Sequence, residues 1–321
     1  MRSTLNISLF LIFMFITGCE REAYNNATGP DITGLFKEIK GKLSGELTLG
    51  DSPYKVTDDI IIDSGSTLKI NAGVEVYFTE NTKLIVHGEL LITGNYYKSA
   101  FLNSYDETKS WRGIKIINAN KQCLIDFASI KGIREPGDST NLSASISIEN
   151  SDVTILHSIL SGNSAIHGGA IGVYNSKIIL KNNLIRDNSA DVFGGAIVSE
   201  LSDLRIINNT FYKNNSHNSV GGVLVYNPVK TELQNNIFYK NTCHSGQNNF
   251  QYSSIDSTTL IEQYNYFAAG TMDPIFWDDI YLTLYYSSPC RDAGNPDPAF
   301  NDYNGSRNDQ GAYGGPLGDW Y

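Results

Sequence analysis

Excess positive charge is missing from this chain: 24 Lys and Arg stand against 34 Asp and Glu, a formal net charge of −10. Phosphate backbones and anionic lipid headgroups would on average repel it, which argues against nucleic-acid binding. Cysteine is scarce as well. The four present form no Cys-x-x-Cys pair and no Cys/His spacing suited to zinc. No GxGxxG or P-loop phrase occurs, so a glycine-rich phosphate cradle is excluded. Beyond the leader, no apolar run approaches the ~18 residues of a membrane-spanning helix. Methionine numbers only 3, whereas glycine reaches 29 and tyrosine 19, a bias toward turn-rich β structure over helices. With 41% hydrophobic and 18% charged residues the 321-residue chain is rich enough in apolar side chains to fold, and wholesale disorder is excluded.

The first 18 residues read as a signal peptide: Arg2 supplies the positive start and Leu5 to Ile16 an apolar core too short to span a bilayer comfortably. Ile16-Thr17-Gly18-Cys19 closes it and resembles the bacterial lipobox, in which the cysteine is lipidated and becomes the new N-terminus. The competing reading is an ordinary signal peptide followed by a chance cysteine. Lipidation of Cys19 implies a membrane partner held by acyl chains, several of which anchor firmly. Glu20, by the same resemblance, favours the outer membrane or cell surface, with the periplasmic face also open. Residues 19–42 are polar at first, with Asn, Gly and Pro, and suit a tether. An export compartment permits disulfides; of Cys123, Cys243 and Cys290 at least one is left over, Cys243 with Cys290 is the likelier pair, and whether they bridge stays open.

The decisive pattern is an internal repeat. VTILHSILSGN, IILKNNLIRDN, LRIINNTFYKN and TELQNNIFYKN align on Asn163, Asn188, Asn214 and Asn241, and the glycine pairs Gly168-Gly169, Gly194-Gly195 and Gly221-Gly222 keep the same phase. Apolar columns emerge: Ile155, Leu180, Ile206, Leu233; then Leu160, Ile185, Phe211, Phe238; then Ile171, Ile197, Leu224. Polar residues alternate between them, as strands with one inward face require. A unit of roughly 25 residues cannot bury its own core, so copies must stack into a coil. The expected fold is therefore all-β, a single-stranded right-handed parallel β-helix over 43–270 with about nine coils, rising ~4.8 Å per coil. A loop-rich cap is expected over 271–321. Ile114 and Ile116 join the same columns, with surplus residues in KGIREPGDSTNL placed outside the coil. Asn182, Asn208 and Asn235 share one column, with His157 one coil earlier, and read as a structural ladder of amides bonding coil to coil.

The tail, Ser288-Pro289-Cys290-Arg291-Asp292-Ala293-Gly294, then Asp302-Tyr303-Asn304-Gly305-Ser306-Arg307, then Asp309-Gln310-Gly311-Ala312-Tyr313, resembles the C-terminal phrases of bacterial surface β-helix proteins of the pectin-lyase-like superfamily. SPYKVTDDIIIDSGSTLKINAGVEVYF leading to WRGIKI resembles their opening coils, so the likeness covers most of 43–315. It implies architecture more than activity, because that fold hosts lyases, hydrolases and adhesins.

Neither the lyase set of calcium-binding aspartates with a nearby base nor the hydrolase set around Gly-His-Gly is legible. The catalytic candidates are instead columns: Arg186, Asp187, Tyr212 and Lys213, a strip able to grip an acidic saccharide through ring stacking and carboxylate pairing, against the alternative of a plain solvated face. Asp302-Tyr303-Asn304-Gly305 resembles half a calcium loop, with Asp309 and Asp297 near enough to help, and calcium is the one cofactor considered, against an acidic turn with Arg307 pairing internally. The five histidines show no metal-ligand spacing. The expected function is a non-catalytic binding or structural module toward glycans or the envelope. The alternatives are a lyase or hydrolase on an acidic polysaccharide, and an adhesin or spacer meeting a protein through 131–142 and 281–286.

Overall fold

The computed structural model describes residues 35–137 and 143–320. The signal peptide, Cys19 and the first part of the tether lie outside these residues, as does 138–142 of the inserted loop. Among the described residues, regular structure is strand apart from three short 3-10 turns.

The chain winds as a parallel β-helix. Its first face is a sheet of nine parallel strands from Gly45–Leu47 to Leu260–Gln263, which makes about eight full turns. The second face climbs from Glu75–Phe78 to Tyr266–Phe267, and the third from Leu84–Val86 to Phe250–Ser253. These two faces merge into one sheet at the first coils because Tyr54–Ile62 is long enough to bend across both. Its first residues pair with Glu75–Phe78 and its last with Leu84–Val86. From Arg134–Glu135 onward, a short strand at the corner after the second face starts a six-stranded sheet. Lys37–Lys42, assigned to the tether from its sequence, is itself a strand paired with Tyr54–Ile62, so β structure begins inside that segment.

Alternation explains the burial. Thr67–Asn71 and Leu84–Val86 bury every second residue, and those residues meet on the axis. Ile155 pairs with Leu180, Leu180 with Ile206 and Ile206 with Leu233, all fully buried. Each such side chain removed from water contributes about 1.5–3 kcal/mol, which is available only once a neighbouring coil covers it. Phe211, Phe238 and Phe267 stack along the axis with centroids 4.6 and 4.9 Å apart.

The third expected column is corrected by one residue. Ile171 pairs with Ile197, but Ile197 pairs with Val223, not Leu224. The glycines stack as Gly169, Gly195 and Gly221: a Cβ on Gly169 would come within 2.1 Å of Gly195 O, and one on Gly195 within 2.4 Å of Gly221 O. The extra residue of that coil falls after the third face, around Asn227 and Val229, so the glycine pairs are a misleading phase marker there. Because side chains alternate, the slip turns Leu224 outward, where it is buried with Val198 and Val220 in a satellite cluster.

The open question of a Cys243–Cys290 bridge is answered: Cys123, Cys243 and Cys290 are all buried free thiols. Cys243 lies on a corner strand with its Sγ 3.1 Å from Ser245 Oγ. Cys290 sits in the C-terminal segment, where its carbonyl accepts the Gln310 N–H and burial pushes its thiol up to about 12.

Candidate functional site

The corners between faces repeatedly use residues in the left-handed backbone region. Between the first and second faces these are Phe127, His157, Asn182, Asn208, Asn235 and Tyr264, with φ from 40° to 57°. Asparagine tolerates this conformation better than most side chains. A left-handed residue throws its own side chain outward and the next one inward. The inward residues, Asn183, Asn209 and Asn236, therefore form the amide ladder: Nδ2 of each donates to Oδ1 of the next at 3.0 and 3.1 Å, and Asn236 passes it to Asn265 at 2.9 Å. A second ladder runs through Asn163, Asn188, Asn214 and Asn241 at the next corner. The ladder expected from Asn182, Asn208 and Asn235 is thus displaced by one position, and the sequence Asn-Asn at 182–183, 208–209 and 235–236 left both members open.

Asn182, Asn208 and Asn235 hold the cap instead. Residues 308–320 run back along the rod over that corner. Gln310 donates to Tyr264 O at 2.7 Å, Gly311 N–H to Asn235 O at 2.7 Å, and Asn182 Nδ2 to Ala312 O and Gly314 O at 3.0 and 2.7 Å. Asn208 Nδ2 reaches Asn308 Oδ1 and Asp309 O, and donation from Asn235 Nδ2 to Asn208 Oδ1 at 3.3 Å is the coil-to-coil bond that this column retains. Trp320 ends the run, close to the rings of His157, Phe127 and Tyr313.

The strip Arg186, Asp187, Tyr212 and Lys213 divides. Arg186 pairs in register with Tyr212, so the structure does bring the strip together. Tyr212, however, is only 2% exposed, lying under Leu282 and Phe276 of the cap and beside Tyr239. Lys213 Nζ sits 4.8 Å above the Tyr212 ring, and its hydrogen bond to Tyr212 raises its pKa, helped by the charges of Asp187 and Asp279. Tyr239 OH donates to Asp273 at 3.0 Å. This half of the strip grips the protein's own C-terminal segment, a docking invisible to any local pattern.

Arg186 and Asp187 stay accessible, joined by a 2.7 Å ion pair. They line a cleft of about 500 Å³ with Lys109, Lys131, Arg134 and Glu107, where the second face turns into the corner strands. Four cations against two acids is the reverse of the whole chain's balance. Lys131 and Arg134, both exposed, belong to the first residues of the inserted stretch. Their neighbour Glu135 points inward, fully buried, and bonds Arg112 at 2.5 Å and Gly137 N–H at 3.0 Å, which fixes the root of the insertion. The sequence reading missed this cleft because Lys109, Arg134 and Arg186 belong to different coils.

Of the calcium candidates, Asp302 and Asp309 meet, with Asp292 as the third carboxylate, all with an oxygen within 4.8 Å of the others. Asn304 turns its Oδ1 to Ser306, accepting from its N–H and hydroxyl at 2.9 and 2.6 Å, though it lines the same cavity of about 390 Å³. Asp297 caps a 3-10 turn by accepting from Ala299 N–H. Burial drives the Asp309 carboxyl up to about 6, aided by the charge of Asp302, and burial raises Asp302 as well. Asp302 accepts backbone N–H groups of Asp309 and Gly315, so the acids also tie the cap's own loops. Arg307 donates to a backbone carbonyl, Gly294 O, at 2.8 and 2.6 Å. A hard oxygen-seeking cation would be held by Asp292, Asp302 and Asp309.

Comparison with protein-family models, with curated proteins and with solved structures returns no match to this chain.

Proposed function

We propose that this chain is an envelope-anchored lipoprotein of the pectin-lyase-like kind whose β-helix binds an acidic polysaccharide without cleaving it. The lipobox-like Ile16–Cys19 and Glu20 support lipid attachment at the outer membrane, on the cell surface or the periplasmic face. The observation that carries the binding half is the cationic cleft of Lys109, Lys131, Arg134 and Arg186 in a chain of formal charge −10. Guanidinium groups meet uronate carboxylates in bidentate fashion, and cations drawn from several coils suit a polymer that crosses them.

A second reading, a lyase or hydrolase on the same polymer, is favoured by Arg186 and Asp187 lying together in that cleft. One experiment separates them. The full chain is mixed with uronate polymers; binding is followed by calorimetry and cleavage by the absorbance of unsaturated ends and by reducing ends, with and without calcium. The expected result is salt-sensitive binding, weakened by Arg134→Ala, with no new chain ends. Release of chain ends establishes the enzymatic reading, and absence of binding to every uronate polymer overturns both.

A further inference from the structure

Three of the five histidines have structural contacts. His87 Nδ1 lies 2.9 Å from Ile117 O, His157 Nδ1 lies 2.8 Å from Asp126 Oδ1, and His167 stacks on Phe193, its burial lowering its pKa. His217 and His244 differ. Both are exposed, their ring centroids are 5.7 Å apart at 35°, and neither ring has a hydrogen-bond partner among the described residues.

The fold builds this proximity. Ser216 pairs with Cys243, so the residues that follow, His217 and His244, lie one above the other, and His244 N–H donates to His217 O at 3.2 Å. His244 also opens the two-residue turn of a hairpin in which Cys243 pairs with Gly246, the glycine carrying φ 120°. One coil below, Ala190 pairs with Ser216 and accepts the His217 N–H at 3.0 Å, which puts the exposed Asp191 next in the column.

We propose that His217 and His244 form a two-imidazole binding site for a divalent transition-metal ion, with solvent completing the ion's shell. Two imidazoles on one tetrahedral ion, at about 2.0–2.1 Å per bond, hold their ring centroids about 5 Å apart, which modest rotation of two exposed rings attains from the present spacing. Imidazole nitrogen selects zinc, copper or nickel over calcium and magnesium. The ion would clip together coils whose corner strands, Asn215–Ser216 and Thr242–Cys243, are two residues each.

The test uses the full chain prepared without a polyhistidine tag, titrated calorimetrically with zinc chloride. One ion per chain is expected at the site, raising the melting temperature. His217→Ala and His244→Ala should each weaken zinc binding by about tenfold or more, and Asp191→Asn, one coil below, should leave it unchanged. Calcium should not compete. In the unmodified chain, nickel should broaden the ring-proton resonances of His217 and His244 alone. Zinc affinity retained in the double alanine variant, no uptake at about 100 µM free zinc, or nickel broadening confined to other histidines would each overturn the site.

Discussion

Asn209 donates its Nδ2 to Asn236 Oδ1 at 3.1 Å, while Asn236 Oδ1 also accepts the backbone N–H of Asn209 at 2.8 Å. One side chain thus satisfies both the amide below it and the backbone of that coil, deep in the corner where water cannot substitute. Asn209→Ala would leave Asn183 N–H and Nδ2 without this acceptor. A loss of about 2–3 kcal/mol in unfolding free energy is expected from urea titration. Asn150→Gly, which keeps the left-handed backbone there and breaks only the solvent-exposed amide contacts to Asn118 and Asn175, should cost well under 1 kcal/mol by the same measurement.

The cap depends on the outward asparagines. Asn208→Gly keeps the left-handed backbone that the corner needs and deletes only the amide that reaches Asn308 and Asp309. Limited proteolysis should then cleave within 271–320 several-fold faster, while the far-ultraviolet circular dichroism of the coils stays unchanged. Equal cleavage rates in the variant and the unaltered chain would refute the assignment of these amides to the cap.

Cap stability should fall as pH rises. Burial lifts Asp309 from its ordinary value to about 6 and raises Asp302, so the protonated form is favoured in the folded state. This contribution is fully present below the unfolded carboxyl value and is lost as pH climbs through about 6, a swing on the order of 1–2 kcal/mol after discounting for partial solvent access. Protection factors of residues 308–315 in chelator, taken relative to the intrinsic exchange rate at each pH, should be larger at about pH 4.5 than at pH 7, and Asp309→Asn should reduce the difference.

Cys243 and Cys290 should behave as independent thiols. Burial raises Cys290 to about 12, far above a working pH, so native protein should resist alkylation there at neutral pH and become labelled on denaturation without any reductant. Recovery of a peptide linking Cys243 to Cys290 in an unreduced digest would contradict this arrangement.

Much of the fold was legible in the sequence because each coil repeats a local rule. Alternation along Asp152–Leu156, Lys177–Lys181, Asp203–Ile207 and Lys230–Gln234 is enough to name the inward residues, and stacking follows from the inability of one coil to bury them. Adjacent asparagines were harder. Which of Asn182 and Asn183 faces inward depends on which adopts positive φ, and two identical side chains in a row carry no signal for that.

Residue order alone was sufficient for the repeat, the aliphatic columns and the parallel stacking, since these arise from contacts between equivalent positions about one repeat apart. Long-range packing was needed to settle the register at Val223, the burial of Tyr212, and the gathering of Lys109, Arg134 and Arg186. Those outcomes depend on where unequal coil lengths are absorbed and on where a non-repetitive tail folds back. Both involve segments far apart in the chain, and their contacts leave no periodic mark along it.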